Sequence, residues 1–139
     1  MTSIYLAGAC RGLEDLGTHW RLQAQELFDD FLDIFPEFKI RIYDPTEYFS
    51  RDGGDAISNK QIKNFYLHHA IKKSDLVLVN LNDTQYSVGT GQELQYAVDN
   101  NIPVIGFGKE NVYEWLPEDC DVVFNTLKEA VDYIVDFYL

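Results

Sequence analysis

Cysteine is scarce in this chain. Cys10 and Cys120 are its only two, too few for a disulfide framework and at no metal-binding spacing, so both are expected as reduced thiols. Basic residues are also short: 11 Lys and Arg stand against 23 Asp and Glu, a net charge of −12. Repulsion from phosphate backbones and anionic lipid argues against a nucleic-acid polymer or a membrane surface as partner. One small anionic ligand stays possible, because a few local donors can hold a phosphate against a global field. No apolar run reaches the roughly 18 residues that cross a bilayer. The N-terminus lacks a basic-then-apolar leader, and a cytoplasmic protein is expected. Neither a metal-ligand cluster nor a cofactor fingerprint is present, so no metal and no organic cofactor are expected.

What the chain does hold is a core-forming composition, 46% hydrophobic over 139 residues, enough for one domain and too short for two. Ser3–Ala7 is an apolar run ending at Gly8 and reads as a buried strand. Helical spacing follows from about Leu16 to Ile34, closed by Pro36. Lys39–Tyr43 alternates into Asp44-Pro45, a strand entering a turn, and Glu47–Asp55 reads as a surface loop. Ser58–Lys73 predicts a second helix. Asp75–Leu81 predicts a central strand, apolar on both faces. The turn-rich stretch Asn82–Gly91 leads into a helix over Gln92–Asn100. Strands at Pro103–Phe107 and Asp121–Phe124 and a helix at Leu127–Tyr138 complete the pattern. With no repeat or linker, residues 1–139 form one flavodoxin-like (Rossmann-like) α/β domain, a three-layer sandwich around a parallel sheet of about five strands.

In such sheets ligands gather beyond the carboxyl ends of the strands, where the strand order reverses. Two loops lie there. Gly8-Ala9-Cys10-Arg11-Gly12 offers two glycines for close backbone approach and one positive fork; it reads equally as a tight turn with a solvated arginine. Ser87-Val88-Gly89-Thr90-Gly91-Gln92-Glu93 offers glycine amides and hydroxyls beside a helix start, suited to an anion or a sugar hydroxyl. Glu93 has two readings. Thr90-x-x-Glu93 matches a capping box, while a carboxylate held in a crevice by amides can act as a nucleophile.

Ile4-Tyr5-Leu6-Ala7-Gly8, Asp75 opening a strand, and Ser87-Val88-Gly89-Thr90-Gly91-Gln92-Glu93-Leu94 followed by Ala97 resemble the nucleoside 2-deoxyribosyltransferase superfamily, in order and spacing, from about residue 3 to residue 107. The resemblance implies that Glu93 attacks the anomeric carbon of a 2′-deoxyribosyl group and passes the sugar to another base or to water. It implies that Tyr5 orients that carboxylate, that the ligand is a small deoxynucleoside or deoxynucleotide, and that the protein is a homo-oligomer. In such assemblies a segment like Asn111–Leu116, with Tyr113 and Trp115, closes a neighbouring subunit's site.

Two branches of the superfamily compete. Transferases usually carry an aspartate six residues before the nucleophile, where this chain has Ser87. A serine there, with Gly8-x-x-Arg11-Gly12, resembles the branch that hydrolyses 2′-deoxynucleoside 5′-monophosphates. In that branch Ser87, Gly89, Arg11 and Gly12 would receive the phosphate, with Gly8 and Thr90 as further candidate substrate contacts. Asp83 is an alternative sugar ligand, and Asp44 a candidate contact to the base. The family's aspartate eight residues before strand three is Leu67 here, leaving His68 as the candidate general acid. A non-catalytic nucleotide-binding or sensing module is the rival that Leu67 favours.

Overall fold

The computed structural model describes residues 1–10, 12–48 and 58–139. Arg11 and most of the Glu47–Asp55 loop lie outside the described residues. Five parallel strands form one sheet in the order β2-β1-β3-β4-β5: β1 (Thr2–Gly8), β2 (Ile40–Tyr43), β3 (Leu76–Asn80), β4 (Val104–Phe107) and β5 (Val122–Phe124). The helices are α1 (Thr18–Ile34), α2 (Asn59–Asn64), α3 (Val88–Asp99) and α4 (Leu127–Tyr138). Strand alternation sends successive side chains to opposite faces. Tyr5, Ala7, Val77 and Val79 meet Leu67, Ala70, Ile71, Leu94 and Ala97 on the α2–α3 side. Ile4, Leu6, Leu76, Leu78 and Ile105 meet Trp20, Ala24, Phe28, Ala130, Val131 and Ile134 on the α1–α4 side. That two-sided burial is why β1 and β3 carry near-continuous apolar runs. None of the described helices is long and apolar enough to cross a membrane.

Three boundaries depart from the sequence pattern. Leu16 and Gly17 both take positive φ, 56° and 80°, so α1 begins at Thr18. Gly17 carries no side-chain cap; the Asp15 carboxylate accepts from the amides of Gly17 and His19 instead, which holds its pKa below the usual carboxylate value. The second predicted helix is two segments: α2, opened by a Ser58–Gln61 capping box, runs on as a π-helical stretch over Phe65–Ile71. The third correction is α3, which starts at Val88 and not at Gln92. Gly89 and Gly91 look like loop residues by propensity, yet the cap at Ser87 and the buried stripe Thr90, Leu94, Ala97 hold them in the first turns.

Where β4 meets its neighbours, packing leaves no room for a side chain. A Cβ on Gly106 would lie 2.9 Å from Cys120 Sγ and 3.2 Å from Leu81 Cδ1. Gly106→Ala is therefore expected to destabilise the fold by about 1–3 kcal/mol. Urea unfolding checks this, and an unchanged midpoint would show that Cys120 and Leu81 move aside freely.

Candidate active site

Position five of the chain sits in the middle of β1, paired across the sheet with Tyr43 and Val77, and its side chain is fully buried on the α2–α3 side. A phenol in such a place needs a hydrogen-bond partner. Glu93 supplies it. Glu93 lies in the second turn of α3, next to the buried stripe, so its carboxyl turns inward to the sheet, and the Tyr5 hydroxyl donates to Glu93 Oε2. The residue as a whole keeps partial exposure, while its carboxyl end is enclosed by protein. Burial raises the Glu93 pKa to about 7, opposed by the Tyr5 hydrogen bond and then by the positive charge of Arg21. Burial first, and the Glu93 charge second, push Tyr5 well above its ordinary value, so the phenol stays a donor.

This geometry overturns the capping-box reading of Glu93. The helix cap is Ser87, whose Oγ accepts from the Thr90 amide at 3.4 Å and shares a 2.7 Å hydrogen bond with the Thr90 hydroxyl. Thr90 is buried by that contact and is no surface ligand. Gly89, in the first turn, stays open: an added Cβ would meet nothing within 4 Å. Gly91 donates its amide to Ser87.

The remaining sequence candidates divide. Gly8 closes β1, where a Cβ would press on Trp20 and on the Asn80 carbonyl at 3.2 and 3.3 Å. Gly12 stands at φ +80° in open space. Asp83 is exposed, accepts from Asn111 at 3.2 Å, and lines a cavity of about 560 Å³ with Asp15, His19, Trp20 and Asn80. Neither Tyr5 nor Glu93 lines that cavity. Asp44, read from the sequence as part of a turn and as a candidate contact to the base, is held in the turn. It is 2% exposed and consumed by the turn after β2, accepting from the Thr46 amide and hydroxyl and from Gln25. His68 is exposed and pairs with the Tyr96 hydroxyl at 3.3 Å, one turn beyond Glu93, with no hydrogen bond to the carboxylate. Leu67 is buried in the core and carries no proton chemistry.

Sequence reasoning missed Arg21. An arginine in a helix reads as solvated, yet Arg21 is 1% exposed and donates to the carbonyls of Leu6, Gly8 and Gly17 at 3.2, 3.1 and 2.8 Å. Its only sequence signal was its place on the inward stripe with Trp20, Ala24 and Phe28. Among the described residues no group of three His, Cys, Asp or Glu is placed to hold a metal ion.

A direct titration tests the electrostatics. Carbon-13 NMR of the glutamate carboxyls, with Glu93 assigned by its loss in Glu93→Gln, is expected to show one midpoint near 7. Tyr5→Phe removes a contact that favours the ionised form, so the midpoint should move higher. A Glu93 midpoint in the ordinary range of about 4–4.5 would mean a solvated carboxyl and no such site.

Comparison with known proteins bears on this arrangement. A family model described as nucleoside 2-deoxyribosyltransferase matches residues 4–127. Fifteen solved chains match in structure. A conserved protein from Enterococcus faecalis V583 is 16% identical, with a TM-score of 0.70 and 98% of each chain covered. A 2-deoxyribosyltransferase from Bacillus psychrosaccharolyticus is 20% identical, with a TM-score of 0.71, covering 95% of this chain and 92% of its own. At these identities the two structures speak for the fold alone. No curated protein matches the chain in sequence.

Proposed function

The chain belongs to the nucleoside 2-deoxyribosyltransferase family, and on that premise we propose that it cleaves the N-glycosidic bond of 2′-deoxynucleosides through a glycosyl ester on Glu93. The observation that carries this reading is the buried Tyr5–Glu93 pair, joining the middle of β1 to the second turn of α3. Tyr5 holds Oε2, which leaves Oε1 to form the bond to C1′. As that bond forms, the C1′–N bond breaks, its electron pair stays on the departing base, and the base takes up a proton. In the return step a nitrogen of a second base, or a water oxygen, attacks C1′ and loses a proton, and Glu93 is released as carboxylate. The reaction needs no metal or cofactor.

A second reading, hydrolysis of 2′-deoxynucleoside 5′-monophosphates, is favoured by the start of α3. The first-turn amides of a helix have no intrahelical acceptor, and Gly89 leaves the approach to them open. The Ser87 hydroxyl is already engaged with Thr90, so amides rather than that hydroxyl would receive the phosphate.

Product chromatography on deoxynucleosides and their 5′-monophosphates, each with and without a second base, tests both readings. Base exchange on unphosphorylated nucleosides, lost in Glu93→Ala, is expected. The rate should rise with pH through about 7, because only the ionised carboxylate attacks and its pKa is raised to that value. Base release confined to monophosphates would move the assignment to the hydrolase branch. Turnover that survives Glu93→Ala, or none on any substrate, would overturn the glycosyl-enzyme and favour a binding module.

We also propose a homo-oligomer assembled through the apolar surface around the start of α3, where Val88 and Trp115 are 73% and 68% exposed and Tyr86 and Tyr113 are exposed as well. Light scattering after size exclusion should report a dimer or higher species, and Trp115→Lys a shift toward monomer. A wild-type monomer at micromolar concentration would sink this proposal.

A further inference from the structure

A buried guanidinium at the end of β1 has no part in the mechanism so far. β2 stops at Tyr43, opposite Tyr5, so β1 runs on through Gly8 without that neighbour. Backbone acceptors buried there must find other donors. Arg21 provides them from the first turn of α1: Nε donates to Leu6 O, Nη2 to Gly8 O and Nη1 to Gly17 O, with a further contact to Cys10 Sγ at 3.4 Å. One side chain thus ties together both ends of the loop that leaves β1 and enters α1. Gly17 is shaped around it, since a Cβ there would lie 2.6 Å from Arg21 Nη1 and from the Ala9 carbonyl. The counter-charge is Asp44, with Oδ1 at 3.8 Å from Nε.

We propose that Arg21 is the positioning residue of this site, locking the loop between β1 and α1 onto the strand that carries Tyr5 and placing a permanent positive charge behind that strand, with Asp44 as its opposing control. The proposal rests on Glu93 as nucleophile. It stands on the three-carbonyl clasp and on the placing of a permanent charge next to the strand that carries Tyr5. Tyr5 comes from β1, Arg21 from α1 with Asp44 behind it, and Tyr66 acts from the π-helical stretch through Tyr5. His68 and His69 on that stretch turn to Tyr96 and Phe65. Arg21 favours the ionised carboxylate, in agreement with the direction of its effect on Glu93.

The two buried partners should therefore push the site in opposite directions. Arg21→Gln removes the positive charge, so the Glu93 midpoint and the acid limb of kcat/KM should move up. Arg21→Lys keeps the charge but cannot span three carbonyls; its midpoint should stay near the wild-type value while kcat falls about 10–100-fold from lost positioning. Asp44→Asn frees the guanidinium of its counter-charge, so the midpoint should move down. All three variants lose thermal stability, so a purely structural role predicts lower melting temperatures with no change of midpoint. An unchanged midpoint in both Arg21→Gln and Asp44→Asn, or shifts of the same sign, would overturn the proposal. If Arg21→Gln does not fold, Arg21→Lys and Asp44→Asn decide it. The NMR titration of Glu93 reads these shifts without turnover, so failure of the glycosidic reading shows up separately as absent activity with the shifts intact.

Discussion

An enclosed carboxyl is the constraint around which this molecule is arranged. Moving a carboxylate out of water disfavours its charged form, and the raised pKa of Glu93 records that cost. Two groups offset it, a phenol hydroxyl at hydrogen-bond range and a guanidinium further off. Each requires its own scaffold. The phenol stays protonated because β1 is buried on both faces, and the guanidinium stays in place because β1 outruns β2 and leaves carbonyls for it to hold.

The strand order makes these requirements compatible. With β1 and β3 adjacent at the centre, the loop after β1 leads to α1 on one side and the loop after β3 leads to α3 on the other. The site is assembled where those paths diverge, the usual place for ligand crevices in open parallel sheets. Glu93 comes to it from the α3 side, Arg21 from the α1 side, and Tyr5 from the strand between them. Only the Tyr5–Glu93 contact is direct. Arg21 acts on Glu93 through its charge in a low-dielectric interior.

Much of the fold was legible because the periodicities were clean. Four strands fall within their predicted runs, β1 exceeds its run by one residue at each end, and α4 spans Leu127–Tyr138 as its pattern requires. The misses share a cause: backbone needs outranked propensity. Glycines at 89 and 91 suggested loop, but one serine cap and a buried stripe were enough to start α3 early. That four-residue error kept a capping-box reading of Glu93 open beside the other, although Glu93 lies a turn further in, bonded to Tyr5. Asp44 looked like a ligand on a turn and proved to be buried within it. Arg21 left almost no sequence signal, because whether a helical arginine is solvated depends on where a neighbouring strand ends. No local window contains that fact.

The acidity of the chain bears on the site less than its size suggests. A net charge of −12 raises proton affinity everywhere, but charges beyond about 10 Å are largely screened at ordinary salt. Glu93 is governed instead by the groups that share its enclosure, where screening is weak. Among the described residues Arg21 is the cation that acts on it there, and its own counter-ion is a carboxylate spent on a turn. A glutamate poised near neutrality in so acidic a protein is thus a local product of three side chains from different elements. Its poise would survive wide variation in surface charge and would shift on the loss of Tyr5 or Arg21.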